Sequence, residues 1–285
     1  MRFLSTLFIV TIFAFPLSAA DEELKKAVAL YASFDEWPEA DVGSGDPRFW
    51  TRLNDAKEKG KFVHTKGFDA MVFGINKKGV QGGCLEAKDV LPENGRIYFP
   101  AKGNIGYREG GWSGALSVWI NTDPNTLLKT KFCDPIQITQ KGANNGGIWF
   151  DFNDAKPRDM RHGVFTAVGE GEKPLTEEGD DAPMVRVPRV AFKQGEWRHI
   201  VLNWKNLDTG KKDAISQLYI DGKLIGEVKD RAIGMKWDME KAGIYVAVNY
   251  IGLLDELAVF GRALSENEIA SLHKTPGLLS GLKKK

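Results

Sequence analysis

The chain carries no excess of either charge. Its 39 basic and 38 acidic residues leave a formal net charge of +1 over 285 residues. Without a global field, the composition gives no reason for a nucleic acid or an anionic membrane to be drawn in. Cysteine is nearly absent. Cys84 and Cys133 are the only two, and they can close a disulfide in an exported chain or sit as small buried hydrophobes; a domain of this size does not need a staple. Histidine is as scarce, and His64, His162, His199 and His273 show no metal-like spacing. Repeats and low-complexity linkers are missing as well. After residue 15 no apolar run approaches the roughly 20 residues of a membrane helix.

The one long apolar stretch, residues 3–15, lies at the start, after a single arginine and ahead of Pro16 and the small residues Ser18, Ala19 and Ala20. It is too short to span comfortably, so residues 1–20 read as a secretory signal peptide cut before Asp21. The expected product is secreted, periplasmic or extracellular. The remainder suits one β domain over residues 21–275, since sandwiches reach about 200–250 residues undivided. Residues 276–285, ending Lys283-Lys284-Lys285, read as a basic tail.

Short alternating runs separated by turn residues predict antiparallel sheets with one buried and one wet face. In Trp197-Arg-His-Ile-Val-Leu-Asn-Trp204, Ile200, Leu202 and Trp204 share one face. Asp221-Gly222 between apolar runs predicts a two-residue hairpin with φ > 0 at both positions. Ser265 and Glu268 form a capping box, with Leu264 and Ile269 as its staple, so a short helix closes the domain. Residues 154–194, rich in Pro, Gly and charge, read as a long insertion, and loops of that length are functional or disordered. Residues 41–58 are a second polar excursion, in which Asp46-Pro-Arg-Phe-Trp50 suggests docking through aromatics.

These elements carry a resemblance. Trp197-Arg-His199, Leu218-Tyr-Ile-Asp-Gly-Lys-Leu-Ile-Gly226, Leu254-Asp-Glu-Leu257 and Ala263-Leu-Ser265 through Ile269 resemble the C-terminal half of the laminin G-like jelly roll, in the concanavalin A-like lectin/glucanase superfamily. Leu30-Tyr-Ala-Ser-Phe-Asp35, Gly82-Gly-Cys-Leu-Glu86 and Leu116-Ser-Val-Trp-Ile120 are similar to its earlier strands, so the likeness covers about residues 28–273. It implies an all-β, two-sheet antiparallel jelly-roll sandwich with a short C-terminal helix. It also implies a structural calcium ion held by Asp35 at the end of the first strand and by Asp255 on a late strand; oxygen donors from distant segments suit Ca²⁺. Asp255 capping a backbone turn is the alternative.

Parity places candidate ligand groups on an open face. Ile148, Phe150 and Phe152 should point inward, leaving Trp149, Asp151 and Asn153 outside; Ile244, Val246 and Val248 inward leave Tyr245 and Asn249 outside. A ring beside acids and amides suits sugar, which stacks through C–H faces and bonds through hydroxyls. Arg158, Arg161 and His162 in the insertion can rim this face toward an acidic glycan, or pair with Asp151, Asp154 and Asp159. The Glu-x-Asp-x-x-Glu strand of the superfamily's retaining glucanases is missing, and Asp208-Thr-Gly210 is a turn rather than a protease triplet. The sequence therefore reads as a non-catalytic binding module whose partner is a glycan, or alternatively an extracellular protein; an unrecognised glycoside-active enzyme is a further alternative.

Overall fold

The structure, a computed structural model, describes residues 19–54, 61–92, 95–179 and 181–282. The apolar N-terminal run and Lys283 to Lys285 lie outside the described residues. Helix α1 (Ala19–Lys26) leads into β1 (Val28–Ala32) and β2 (Val42–Gly43). A hairpin of β3 (Trp50–Asn54) and β4 (Phe62–Lys66) follows, then the pair β5 (Phe73–Asn76) and β6 (Cys84–Ala87). The middle of the chain holds β7 (Arg96–Pro100), β8 (Trp112–Asn121), β9 (Cys133–Thr139), β10 (Gly147–Phe152), β11 (Met160–Phe165) and β12 (Met184–Val187). Then come β13 (Arg198–Leu207), β14 (Ala214–Ile220), β15 (Lys223–Arg231), β16 (Gly243–Val248) and β17 (Gly252–Phe260), before α2 (Glu266–Lys274).

Two antiparallel sheets result. The first runs β15-β14-β13-β8-β17-β1-β2, with β5 and β6 added along β17. The second runs β12-β11-β10-β9-β16-β7-β3-β4. Alternation did its expected work: Ile200, Leu202 and Trp204 from one sheet share a core with Ile148, Phe150, Phe152 and Ile244 from the other. The excursion at residues 41–58 docks through Phe49, which is fully buried and packs edge-on to Phe34 and Phe99 at 6.5 and 4.7 Å between centroids. The hairpin between β14 and β15 turns at Asp221 (φ 50°) and Gly222 (φ 75°), and Ile220 pairs with Lys223.

The other face of the first sheet is also covered. There Tyr31, Val201 and Tyr219 pack under Ile269 and Leu272 of α2. Both halves of the capping box at Ser265 and Glu268 are present, which fixes where α2 starts. Beyond the helix, Leu279 is 2 % exposed and a single 3-10 turn spans Ser280–Leu282. Residues 276–282 are therefore part of the packed domain and not a solvated tail, because Leu278 and Leu279 find apolar partners on the sheet.

Two further expectations are corrected and one open alternative is decided. The presumed insertion, residues 154–194, supplies β11 and β12, two regular strands that widen the second sheet. Cys84 and Cys133 are free, fully buried thiols in different sheets, so the hydrophobic reading of them holds. Val248 borders a pocket instead of the core; Ala247 adopts φ 51° and turns inward in its place, breaking the alternation by one residue.

Candidate functional site

Strand pairing assembles the outer face of the second sheet from distant segments. Trp50 of β3 pairs with Tyr98 of β7, Tyr98 with Tyr245 of β16, Tyr245 with Gln137 of β9, and Gln137 with Trp149 of β10. This row crosses the sheet at roughly 4.8 Å per strand. A parallel row is ionic. His64, Arg52 and Arg96 lie on one side, Asp134 and Asp151 in the middle, and Arg161 and Arg186 on the other side.

The two central acids live differently. Asp151 is 3 % exposed, and the Arg161 guanidinium grips both of its oxygens, Nε to Oδ1 at 2.8 Å and Nη2 to Oδ2. Burial nevertheless pushes its carboxyl up to about 6. Asp134, 7 % exposed, accepts no hydrogen bond from any described residue. Burial, and then the charge of Asp151, push it well above the usual carboxylate range, while Arg96 and Arg161 pull the other way. Its carboxyl opens into a pocket of about 380 Å³ walled by Arg52, Arg96, Phe132, Gln137, Tyr245 and Asn249. Gln137, also 7 % exposed, likewise has no side-chain partner among the described residues. Arg52 donates to the Tyr245 hydroxyl at 2.9 Å while its Nε is buried without a partner. Next to this pocket lies a second hollow of about 670 Å³, containing Trp50, His64 and Tyr98, with the Tyr98 and Tyr245 rings 5.5 Å apart at the divide.

Of the residues singled out from sequence, Tyr245 and Asn249 line the pocket. The others do not. Trp149 does have outward parity, but it is 1 % exposed: Ala143 from the 140s loop and Arg161 and Phe165 from β11 close over it. Its Nε1 donates to the Ala143 carbonyl at 3.0 Å and its ring stacks on Phe165. Glu177, from the β11–β12 connection, reaches Asn144 at 2.9 Å and Arg161 at 3.4 Å, closing the lid over Asp151. Asn153 ties a turn by accepting from Ala155 and Asp159 backbone N–H groups. Arg158 is buried and donates to the carbonyls of Leu128, Thr130 and Asn153, so it clamps loops together. His162 points into the core, where Nε2 meets Ser216 Oγ at 2.8 Å. Sequence reading missed Asp134, Gln137, Arg52 and Arg96. Alternation in Trp50-Thr-Arg52, Arg96-Ile-Tyr-Phe99 and Ile136-Gln-Ile138 flags Arg52, Arg96 and Gln137 as outward, but it gives Asp134 the inward parity of Ile136 and Ile138, and only an irregularity in the pairing of β9 with β10 turns it out.

Asp35 and Asp255 converge on one loop. Asp35 Oδ1 accepts the Gly83 N–H at 2.7 Å, and Asp255 Oδ2 accepts the Gln81 N–H at 3.1 Å. Gly82, at φ 72°, comes so close that a Cβ there would stand 1.9 Å from Asp35 Oδ1. Asp255 is fully buried and burial pushes its carboxyl up to about 8. Among the described residues no cluster of three or more His, Cys, Asp or Glu side chains forms a metal site. An ion here would take these two carboxylates and complete its shell with loop carbonyls and water, which Ca²⁺ tolerates. Asp255 also accepts the N–H of Glu256 at 2.8 Å, so the backbone-capping alternative is met at the same time.

The two-sheet antiparallel arrangement is that of a concanavalin A-like β-sandwich. The chain belongs to the concanavalin A-like lectin/glucanases superfamily, whose laminin G-type family model matches residues 93–270, well over half of its length. No curated protein matches it in sequence. Among solved structures it is similar to domain 4 of an extracellular arabinanase from Geobacillus stearothermophilus, in complex with arabinotriose. There the identity is 16 %, with 86 % of this chain and 98 % of that chain covered, at a TM-score of 0.51. The binding domain of Paraclostridial Mosquitocidal Protein 1 aligns at 13 % identity, 88 % and 52 % coverage and a TM-score of 0.49, so this chain spans about half of that one. Among the described residues no helix is long and apolar enough to cross a membrane.

Proposed function

We propose that the protein is an exported, non-catalytic module that binds carbohydrate in the pocket around Asp134. The observation that carries this is the Asp134 carboxyl itself: nine-tenths buried, facing a hollow, and without a hydrogen-bond donor among the described residues. Its oxygens are turned to the pocket, and sugar hydroxyls are donors of the right reach. Tyr245 is held in place by Arg52, and beside it the half-buried Tyr98 and Trp50 in the neighbouring hollow offer ring faces to the C–H side of a sugar. The arabinotriose held by the structurally similar arabinanase domain agrees with this ligand class. Glycoside hydrolysis needs two carboxylates about the scissile bond. Among the described residues Asp134 is the one acid lining this pocket, and Asp151 is sealed behind Arg161.

A calcium ion between Asp35 and Asp255 would neutralise the buried Asp255 and fasten the first strand to β17; its role is structural, away from the pocket. Export rests on residues 1–20, and mass spectrometry of the mature protein should find Asp21 first. An extracellular protein partner is the second reading, favoured by the exposed Leu53, Phe62 and Val63 on the β3–β4 hairpin.

The test is a glycan array probed with wild type and Asp134→Asn. The variant keeps the shape of the side chain and should lose about tenfold in affinity, the scale of one buried hydrogen bond. Unchanged binding by Asp134→Asn would place the ligand elsewhere, and an array with no binder at all would favour the protein partner.

A further inference from the structure

The outer face of the first sheet is not closed along its whole length. His273 of α2 stacks on Trp119 at 5.5 Å, and beyond that point the helix no longer covers the strands. There the pairing of Arg198 with Ile120 sets Trp197 next to Asn121, which pairs with Leu253, which pairs with Glu86. This second row floors a cleft of about 650 Å³, with Asn76, Lys78 and Gln194 at its rim.

Asn121 gives the cleft its chemistry. It is 5 % exposed, and its Oδ1 accepts the Gly195 N–H at 2.8 Å. That bond fixes which way round the carboxamide sits, so the amide NH₂ is the end turned to the cleft. No described residue accepts from it. Two donors thus wait on the floor beside a half-buried indole. Glu86 with Lys78 brings both signs to the cleft, which disfavours a simple anion, and the polar floor disfavours a purely apolar ligand. A hydroxylated ring satisfies every part: its oxygens accept from Asn121, its hydroxyls donate to Glu86, and its C–H face lies on Trp197.

We infer that the Trp197–Asn121 cleft is a second sugar site, independent of the Asp134 pocket and separated from it by the thickness of both sheets. It rests on the reading that the module's ligands are glycans. Stacked sheets lie about 10 Å apart, so one short oligosaccharide cannot fill both sites. The protein would hold two chains, or two points of one long chain.

Titration calorimetry with arabinotriose, xylotriose, cellotriose and trigalacturonate tests this, using wild type, Trp197→Ala, Asp134→Asn and the double variant. At least one probe should bind wild type at two equivalents, each single variant at one, and the double variant at none. Should Trp197→Ala unfold the chain, Trp197→Leu keeps the apolar contact and removes the ring face. A single equivalent that Asp134→Asn abolishes and Trp197→Ala leaves intact overturns the second site while the Asp134 reading stands. A single equivalent lost only in Trp197→Ala does the reverse. Failure of all four probes to bind wild type overturns both.

Discussion

His162 of β11 and Ser216 of β14 meet across the core, Nε2 to Oγ at 2.8 Å, so one hydrogen bond joins the two sheets through their apolar interior. The other ring nitrogen, Nδ1, is 2.9 Å from the Trp149 carbonyl, and the imidazole is fully buried. Burial depresses His162 to about 4, and depresses His199 to about 3 where it stacks with Trp119 and His273.

The sign of the resulting pH dependence follows from those two depressed values. Unfolded histidine binds a proton near pH 6.5, and the folded chain refuses it until about pH 4 or 3. The contribution of both groups is therefore complete above pH 6.5 and is lost as the pH falls from there toward 4. Melting curves of His162→Gln should show a shallower acid decline than wild type over that window. An identical slope counts against a neutral core histidine.

Trp149 now predicts stability instead of recognition. With its ring buried and its N–H bonded to Ala143, Trp149→Ala should cost about 3–5 kcal/mol, the usual range for a core tryptophan. Chemical denaturation measures this directly. A variant as stable as wild type would mean that the ring is not buried.

Calcium, if bound between Asp35 and Asp255, raises the melting temperature. Chelator should lower it, and Asp255→Ala should make the curve indifferent to chelator. The same curve for wild type with and without chelator removes the ion from the account.

The thiols offer a simple check on the packing. Native protein should give no reaction with a thiol reagent and both equivalents in denaturant, because Cys84 and Cys133 are fully buried and burial pushes Cys84 up to about 12. Reducing agent should leave the melting temperature unchanged. A lowered value would reveal a disulfide.

The sequence by itself determined the elements that rest on local rules. Alternation fixed which side chains of β10 and β13 enter the core, Asp221-Gly222 fixed a hairpin whose φ values only certain residues adopt, and Ser265 with Glu268 fixed the start of α2. Tyr245 and Asn249 were legible for the same reason, since parity is a property of one strand. What lies above a face is not local. Trp149 and Asp151 have the outward parity expected of them, yet Ala143, Phe165 and Arg161 close over the first, and Arg161, held by Glu177, closes over the second. Parity likewise marks Arg52 and Arg96 only as outward-facing, and it gives Asp134 the inward parity of Ile136 and Ile138, which a register shift between β9 and β10 overrides. The meeting of these three depends on the sheet order β9-β16-β7-β3, which is set by non-local pairing. Only the tertiary structure decided that the acid left without a partner, and so the candidate site, is Asp134 rather than Asp151.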